Sequence, residues 1–152
     1  MLKRINPKLK ITDDLLYMSL VDDIINNPAV IDMKNYIHHG KINCFEHSLH
    51  VSYLSYRLSK KLKLDYTSSS RGGFLHDFYL YDWHIKNERK GLHGFTHSKE
   101  SLKNAEKIFN LSDKEKDIIL KHMWPLNIKF PAYKESFLVC FVDKYCAIKE
   151  YF

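Results

Sequence analysis

The sequence predicts an all-α fold, a compact single-domain bundle of about six to seven helices. Three observations predict it. Only five glycines and four prolines occur in 152 residues, too few turn formers for a chain of many short strands. Apolar residues recur three and four apart between capping signals. The 45% hydrophobic and 28% charged composition is that of a globular chain, long enough to bury one core. One domain is expected over 1–152, its core over about 28–150, with an N-terminal helix over about 12–27 packed on it.

Thr12-Asp13-Asp14 caps the first helix, which carries Leu15, Leu16, Leu20, Ile24 and Ile25 to about Asn27. Pro28 suits the first position of a second helix, with Val30, Ile31, Met33 and Ile37, ending at His38-His39-Gly40. Asn43 caps a long helix to about Leu64. There His47, Val51, Leu54, Leu58 and Leu62 fall on one stripe, so His47 is expected on the buried face. Asp65 to Ser70 reads as a polar turn. The next helix carries Phe74, Leu75, His76 and Asp77, and Gly72-Gly73 permits close approach to a neighbour. Residues 81–96 lack periodicity, and Gly91 to His97 reads as a rim or lid; irregular stretches of that length are more often functional than not. A helix comes next, from His97 or Ser98 to about Asn110. Ser112-Asp-Lys-Glu115 is a capping box for a helix with Ile118, Ile119 and His122, which stops near Trp124 because Pro125 follows. The last helix, about Tyr133 to Glu150, places Asp143 on a buried stripe one turn after Cys140.

The net charge is +6 and the pI near 9.1, with lysines spread along the chain. That pattern reads as solvated helix faces, or as attraction for a phosphorylated or otherwise anionic ligand. No helix-turn-helix, RNA-recognition or zinc-finger pattern supports nucleic acid. Cys44, Cys140 and Cys146 are odd in number and form no Cys-x-x-Cys pair, which suits a reduced, cytoplasmic protein with buried thiols. The basic N-terminus has no apolar stretch of signal-peptide type, and the apolar run Phe137 to Val142 is far too short for a membrane span.

The residues that carry chemistry centre on His76-Asp77, flanked by Phe74, Leu75 and Phe78. A carboxylate in so apolar a setting is costly unless paired or bound to a metal. Nine histidines are present, and imidazole is the commonest metal ligand. The ionisable residues expected to face inward are His47, His76, Asp77 and Asp143. Nitrogen and carboxylate donors without thiolate suit Mn²⁺, Fe²⁺, Co²⁺, Zn²⁺ or, less well, Mg²⁺.

The order His47 … His76-Asp77 … Asp143 on a helical chain resembles the HD superfamily of metal-dependent phosphohydrolases. Phe45-Glu-His-Ser-Leu-His-Val-Ser52 is similar to that family's first-histidine helix, Phe74-Leu-His-Asp77 to its name-giving motif and Val142-Asp-Lys144 to its last. The loop Leu80-Tyr-Asp-Trp-His84 resembles a bacterial subgroup of small stand-alone members. The resemblance implies a helical domain with a metal held by His47, His76, Asp77 and Asp143. It implies, for some members, a second ion bridged by Asp77 and bound by two further histidines, for which His97 and His122 fit. His93 competes with His97, since both flank Gly94-Phe95-Thr96. Where many members have a lysine three residues after the motif aspartate, this chain has Leu80. Arg71, Asp82, Lys144 or a loop cation such as Arg89 would then face the substrate, with His93 at the rim.

The activity this implies is phosphate-ester hydrolysis on a nucleotide or similar small molecule. One or two divalent ions would make water reactive near neutral pH, with Asp77, His97 and His122 at the reacting centre. Tyr79, Tyr81 and Trp83 are candidates to stack on a base. Two alternatives remain: a di-iron oxygenase on the same ligands, and a non-catalytic or regulatory helical module, its metal structural or absent, that binds an anionic ligand through its lysines.

Overall fold

The computed structural model describes residues 11–81 and 93–152. Asp82, Trp83, His84, Arg89 and Lys90 lie outside them, as does the side chain of His93. Helix α1 (Leu15–Ile25) starts where Asp14 accepts a hydrogen bond from Tyr17 N. Asn27 caps the single turn α2 (Pro28–Ile31), with Pro28 in the first turn, and a 3₁₀ turn continues it through Asp32–Asn35.

Here the structure departs from the expected long second helix. After Asn35 the chain extends into strand β1 (Ile37–His39), which pairs antiparallel with β2 (Ile42–Asn43). Gly40 turns between them at φ +56°, a conformation that stops a helix and that glycine adopts without cost. Cys44 N donates to Tyr36 O at 2.8 Å and closes the hairpin onto the next helix.

Helix α3 (Cys44–Lys61) is capped by Asn43, which accepts from Glu46 N. Its expected stripe holds at His47 and Val51 and, partly buried, at Leu54, and fails beyond: Leu58 and Leu62 are 36% and 59% exposed. The inner face is carried instead by Ser48, Ser52, Ser55 and Ser59, all fully buried. They face helix α4 (Tyr66–Leu75), whose first turn is the segment Asp65 to Ser70 expected as a turn. Asp65 is its cap, and Ser68, Ser69 and Ser70 are buried. Ser52 Oγ donates to Ser70 O at 2.6 Å, Ser59 Oγ donates to Ser69 Oγ at 2.8 Å, and Tyr17 OH donates to Ser52 Oγ at 2.8 Å. Small side chains here let two backbones approach. A Cβ on Gly73 would stand 3.2 Å from Ser52 Cα.

Helix α5 (His93–Ile108) begins about one turn earlier than expected. Helix α6 (Asp113–Lys121) opens with both arms of the Ser112–Glu115 capping box, and turns then carry the chain through Pro125 to helix α7 (Lys134–Tyr151). One core joins Tyr17, Val21 and Ile24 of α1 to Tyr56, Phe74, Leu75, Phe78 and Ile119. A second joins Val51, Ile118, Val139 and Val142 of α3, α6 and α7. No helix among the described residues is long and apolar enough to cross a membrane.

Candidate metal centre

Helices α3, α4, α5, α6 and α7 each deliver one part of a buried polar centre. His47 lies one turn into α3. Helix α4 ends at Leu75, so His76 is its C-cap and Asp77 the first residue beyond; the pair sits at a helix end rather than inside one. His97 lies one turn into α5, His122 caps the C-terminus of α6, and Asp143 is midway along α7. His47 and His76 are fully buried, and Asp77, His97, His122 and Asp143 are at most 8% exposed.

Two groups of donor atoms converge. In the first, His47 Nε2 lies 2.9 Å from Asp143 Oδ1 and 3.5 Å from Asp77 Oδ2, and His76 Nε2 lies 3.2 Å and 3.1 Å from the same two oxygens. In the second, Asp77 Oδ1 lies 3.2 Å from His97 Nε2 and 3.3 Å from His122 Nε2, and these two nitrogens are 2.8 Å apart. Within each group the donor atoms fall inside 4.8 Å of one another, and Asp77 contributes one oxygen to each.

The tautomers decide what these contacts are. His76 Nδ1 donates to Gly73 O at 2.6 Å and His122 Nδ1 to Ile119 O at 2.7 Å. His47 Nδ1 donates to both carboxylate oxygens of Glu150, at 2.9 and 2.8 Å. With the proton on Nδ1, a neutral imidazole presents a bare lone pair at Nε2. Three such lone pairs are thus aimed at carboxylate oxygens, and Asp77 Oδ1 is a buried oxygen with no hydrogen-bond partner among the described residues. Lone pairs facing lone pairs repel unless a cation or a proton lies between them. The donor set fits a divalent cation in each group, with nitrogen and oxygen ligands throughout.

The electrostatics point the same way. Burial alone would raise Asp77 and Asp143, but His76 beside each, with His38 at Asp77 and His47 at Asp143, holds both well below the usual carboxylate range. Burial alone would lower His47, yet the bonded Asp143 and Glu150 raise it to about 9; Asp77 and Asp143 raise His76 likewise against its burial. Burial keeps His122 below its ordinary value, hence neutral. The first group therefore attracts positive charge, which a metal supplies in place of protons.

Two residues missed by sequence reasoning belong to this centre. His38, expected at a helix end, sits on β1 with Nε2 3.3 Å from Asp77 Oδ2 and Nδ1 3.0 Å from Tyr79 OH. Glu150 was expected only as the end of the last helix; its side chain is 4% exposed, and burial, which would raise it, is outweighed by His47 and His50, so it falls to about 2. A surplus of imidazoles, nine in the sequence against four assigned as ligands, was the one available hint of the first.

A cavity of about 280 Å³ opens onto the centre. Its polar floor is His38, Asp77, His97, His122 and Asp143; Met123, Pro125, Leu126 and Ala147 form an apolar wall, with Lys144 beside them. Arg71 is not brought there. Its guanidinium is bound to Asp23, to Leu20 O and, at 3.6 Å, to Glu115. Tyr79 is fully buried and bonded to His38, so its ring has no open face for stacking on a base; Tyr81 packs on it at 5.0 Å.

A family model described as HD domain matches residues 44–148. No curated protein and no solved structure matches the chain.

Proposed function

The chain belongs to the HD-domain family, and from that premise we propose that it is a metal-dependent phosphohydrolase cleaving a phosphate ester of a nucleotide or similar small molecule. The observation that carries the reading is Asp77 Oδ1, buried, without a hydrogen-bond partner among the described residues and facing two imidazole nitrogens, beside lone pairs turned on Asp143. His47, His76, Asp77 and Asp143 would hold one divalent ion, and Asp77, His97 and His122 a second. Such an ion supplies Lewis acidity toward a phosphoryl oxygen and makes water acidic enough to react near neutral pH.

The chain's own groups do the rest. Lys144 Nζ is bonded to His122 O at 3.3 Å and Cys140 Sγ at 3.0 Å, which leaves one of its three N–H groups for a phosphoryl oxygen. His38 Nε2 lies 3.3 Å from Asp77 Oδ2, the oxygen that also faces His76, and the hydrogen bond between His38 Nδ1 and Tyr79 OH at 3.0 Å fixes the ring. The apolar wall of Met123, Pro125 and Leu126 takes the less polar part of the substrate and excludes water, which strengthens every charge interaction inside. Asp82 and His93 remain candidates at the substrate side.

The test is turnover of a phosphate-ester and nucleotide panel with Mn²⁺, Co²⁺, Fe²⁺ or Mg²⁺ added. Activity should vanish in His76→Ala and Asp77→Ala; a panel with no turnover dependent on these residues under any metal overturns the reading. The pairing of His97 with His122 across Asp77 equally suits two irons and oxidation by O₂. Two irons per chain with oxygen consumption on an organic substrate would select that chemistry instead.

A further inference from the structure

Glu150 lies beyond the span matched by the family model, and so does the hairpin that precedes it in sequence and touches it in space. A Cβ on Gly40 would stand 3.7 Å from Glu150 O, so the β1–β2 turn abuts the last turn of α7. Between them they grip His47. The His38 ring covers one face of the His47 ring at a centroid distance of 4.1 Å and 33° between planes. The Glu150 carboxylate closes on Nδ1 with both oxygens. Burying a carboxylate to 4% exposure is costly unless it is matched, and its partners are His47 at 2.8 Å and the partly exposed His50 at 3.8 Å.

We propose that Glu150 is a positioning residue for the metal centre, holding His47 with its proton on Nδ1 and making the group His47, His76, Asp77 and Asp143 the tighter of two ion sites. This rests on the proposed reading of the centre as a metal site. A carboxylate accepts and cannot donate, so Nδ1 must carry the hydrogen and Nε2 is left to face Asp143 and Asp77. The other two oriented histidines are supported differently: Gly73 O and Ile119 O, neutral peptide carbonyls, receive their Nδ1 hydrogens. A charged acceptor behind a ligating imidazole raises its basicity more than a carbonyl does. The first group also holds two carboxylates in its own set, against one in the group Asp77, His97 and His122. The two sites are therefore unequal, and the four-residue site fills first.

The test is calorimetric titration of the full chain with Mn²⁺, in wild type and in Glu150→Gln. Glutamine preserves size and an acceptor oxygen and removes the charge. Wild type should show a tight and a weaker class. The variant should lose about 10–100-fold in the tight class, with the weaker class unmoved. An unchanged tight class in the variant overturns the role of Glu150. A second measurement needs no variant: imidazole ¹⁵N spectra of the Zn²⁺-loaded wild type should put the hydrogen of His47 on Nδ1, and the opposite tautomer overturns the proposal even if Glu150→Gln does not fold. A wild type that takes up no Mn²⁺ overturns the metal reading beneath it, a different outcome from either of these.

Discussion

Asp77→Asn is the substitution to which the centre should be most sensitive, because this side chain supplies one of two carboxylates to the first donor group and the sole carboxylate of the second. Asparagine keeps its shape, so the surrounding packing is little disturbed. An ion that binds the folded chain stabilises it by RT ln(1 + [L]/Kd), about 2.7 kcal/mol at a hundredfold excess over Kd. For a chain of 152 residues each kcal/mol moves the melting temperature by about 2–4 °C. Wild type should therefore melt about 5–11 °C higher with Mn²⁺ at that excess than in chelator. Even a hundredfold loss of affinity in Asp77→Asn leaves the same Mn²⁺ at about its Kd, worth about 0.4 kcal/mol and about 1–2 °C. Differential scanning calorimetry with and without chelator reads both shifts. Equal Mn²⁺ shifts in the two proteins would show that the ion stabilises the chain from elsewhere, and the convergence on Asp77 would lose its meaning.

Three further outcomes are expected from the fold. Asp117 accepts from Ala132 N, Ser136 Oγ and Lys121 Nζ, tying α6 to the start of α7; Asp117→Ala should cost about 1–3 kcal/mol in urea unfolding. Against its partial burial, those bonds hold Asp117 below the ordinary 3.8, so its contribution is complete above that value and disappears as pH falls through the lower folded value; acid titration of Asp117→Asn should lack that part of the loss. In Gly72→Ala the new Cβ would stand 2.8 Å from Ile118 Cγ2 and 2.9 Å from its Cβ. The overpacking, about 1–3 kcal/mol, should exceed the helix-propensity gain of about 1 kcal/mol, a net loss visible as a lower urea midpoint.

Helix caps and the inward placing of the candidate ligands were legible in the sequence. Asn43, Ser112 with Glu115, and the spacing of His47, His76-Asp77 and Asp143 each come from local rules that need no partner. What was hidden depended on partners far along the chain. Glu150 meets His47 across 103 residues, and an acidic residue in a last helical turn otherwise reads as solvated surface. His38 turns inward only because the chain leaves helix after Asn35 and Gly40 folds it back as a hairpin. The serine face of α3 was missed for a different reason. Helical periodicity counts apolar residues, and here the buried stripe is made of hydroxyls small enough to let backbone meet backbone, with hydrogen bonds satisfying several of them.

That backbone-to-backbone seam acts as a calliper on the centre. One jaw carries His47 and the other His76, and Gly73, whose carbonyl orients His76, is the residue that touches Ser52 on the opposite jaw. Side chains can swivel to suit a guest, but main chains in van der Waals contact cannot be drawn nearer, and opening them breaks the serine bonds. For an ion held as proposed between the two jaws, radius would then be a selection criterion: a large cation such as calcium, with bonds of about 2.3–2.6 Å and six to eight oxygens to satisfy, would have to lever them apart.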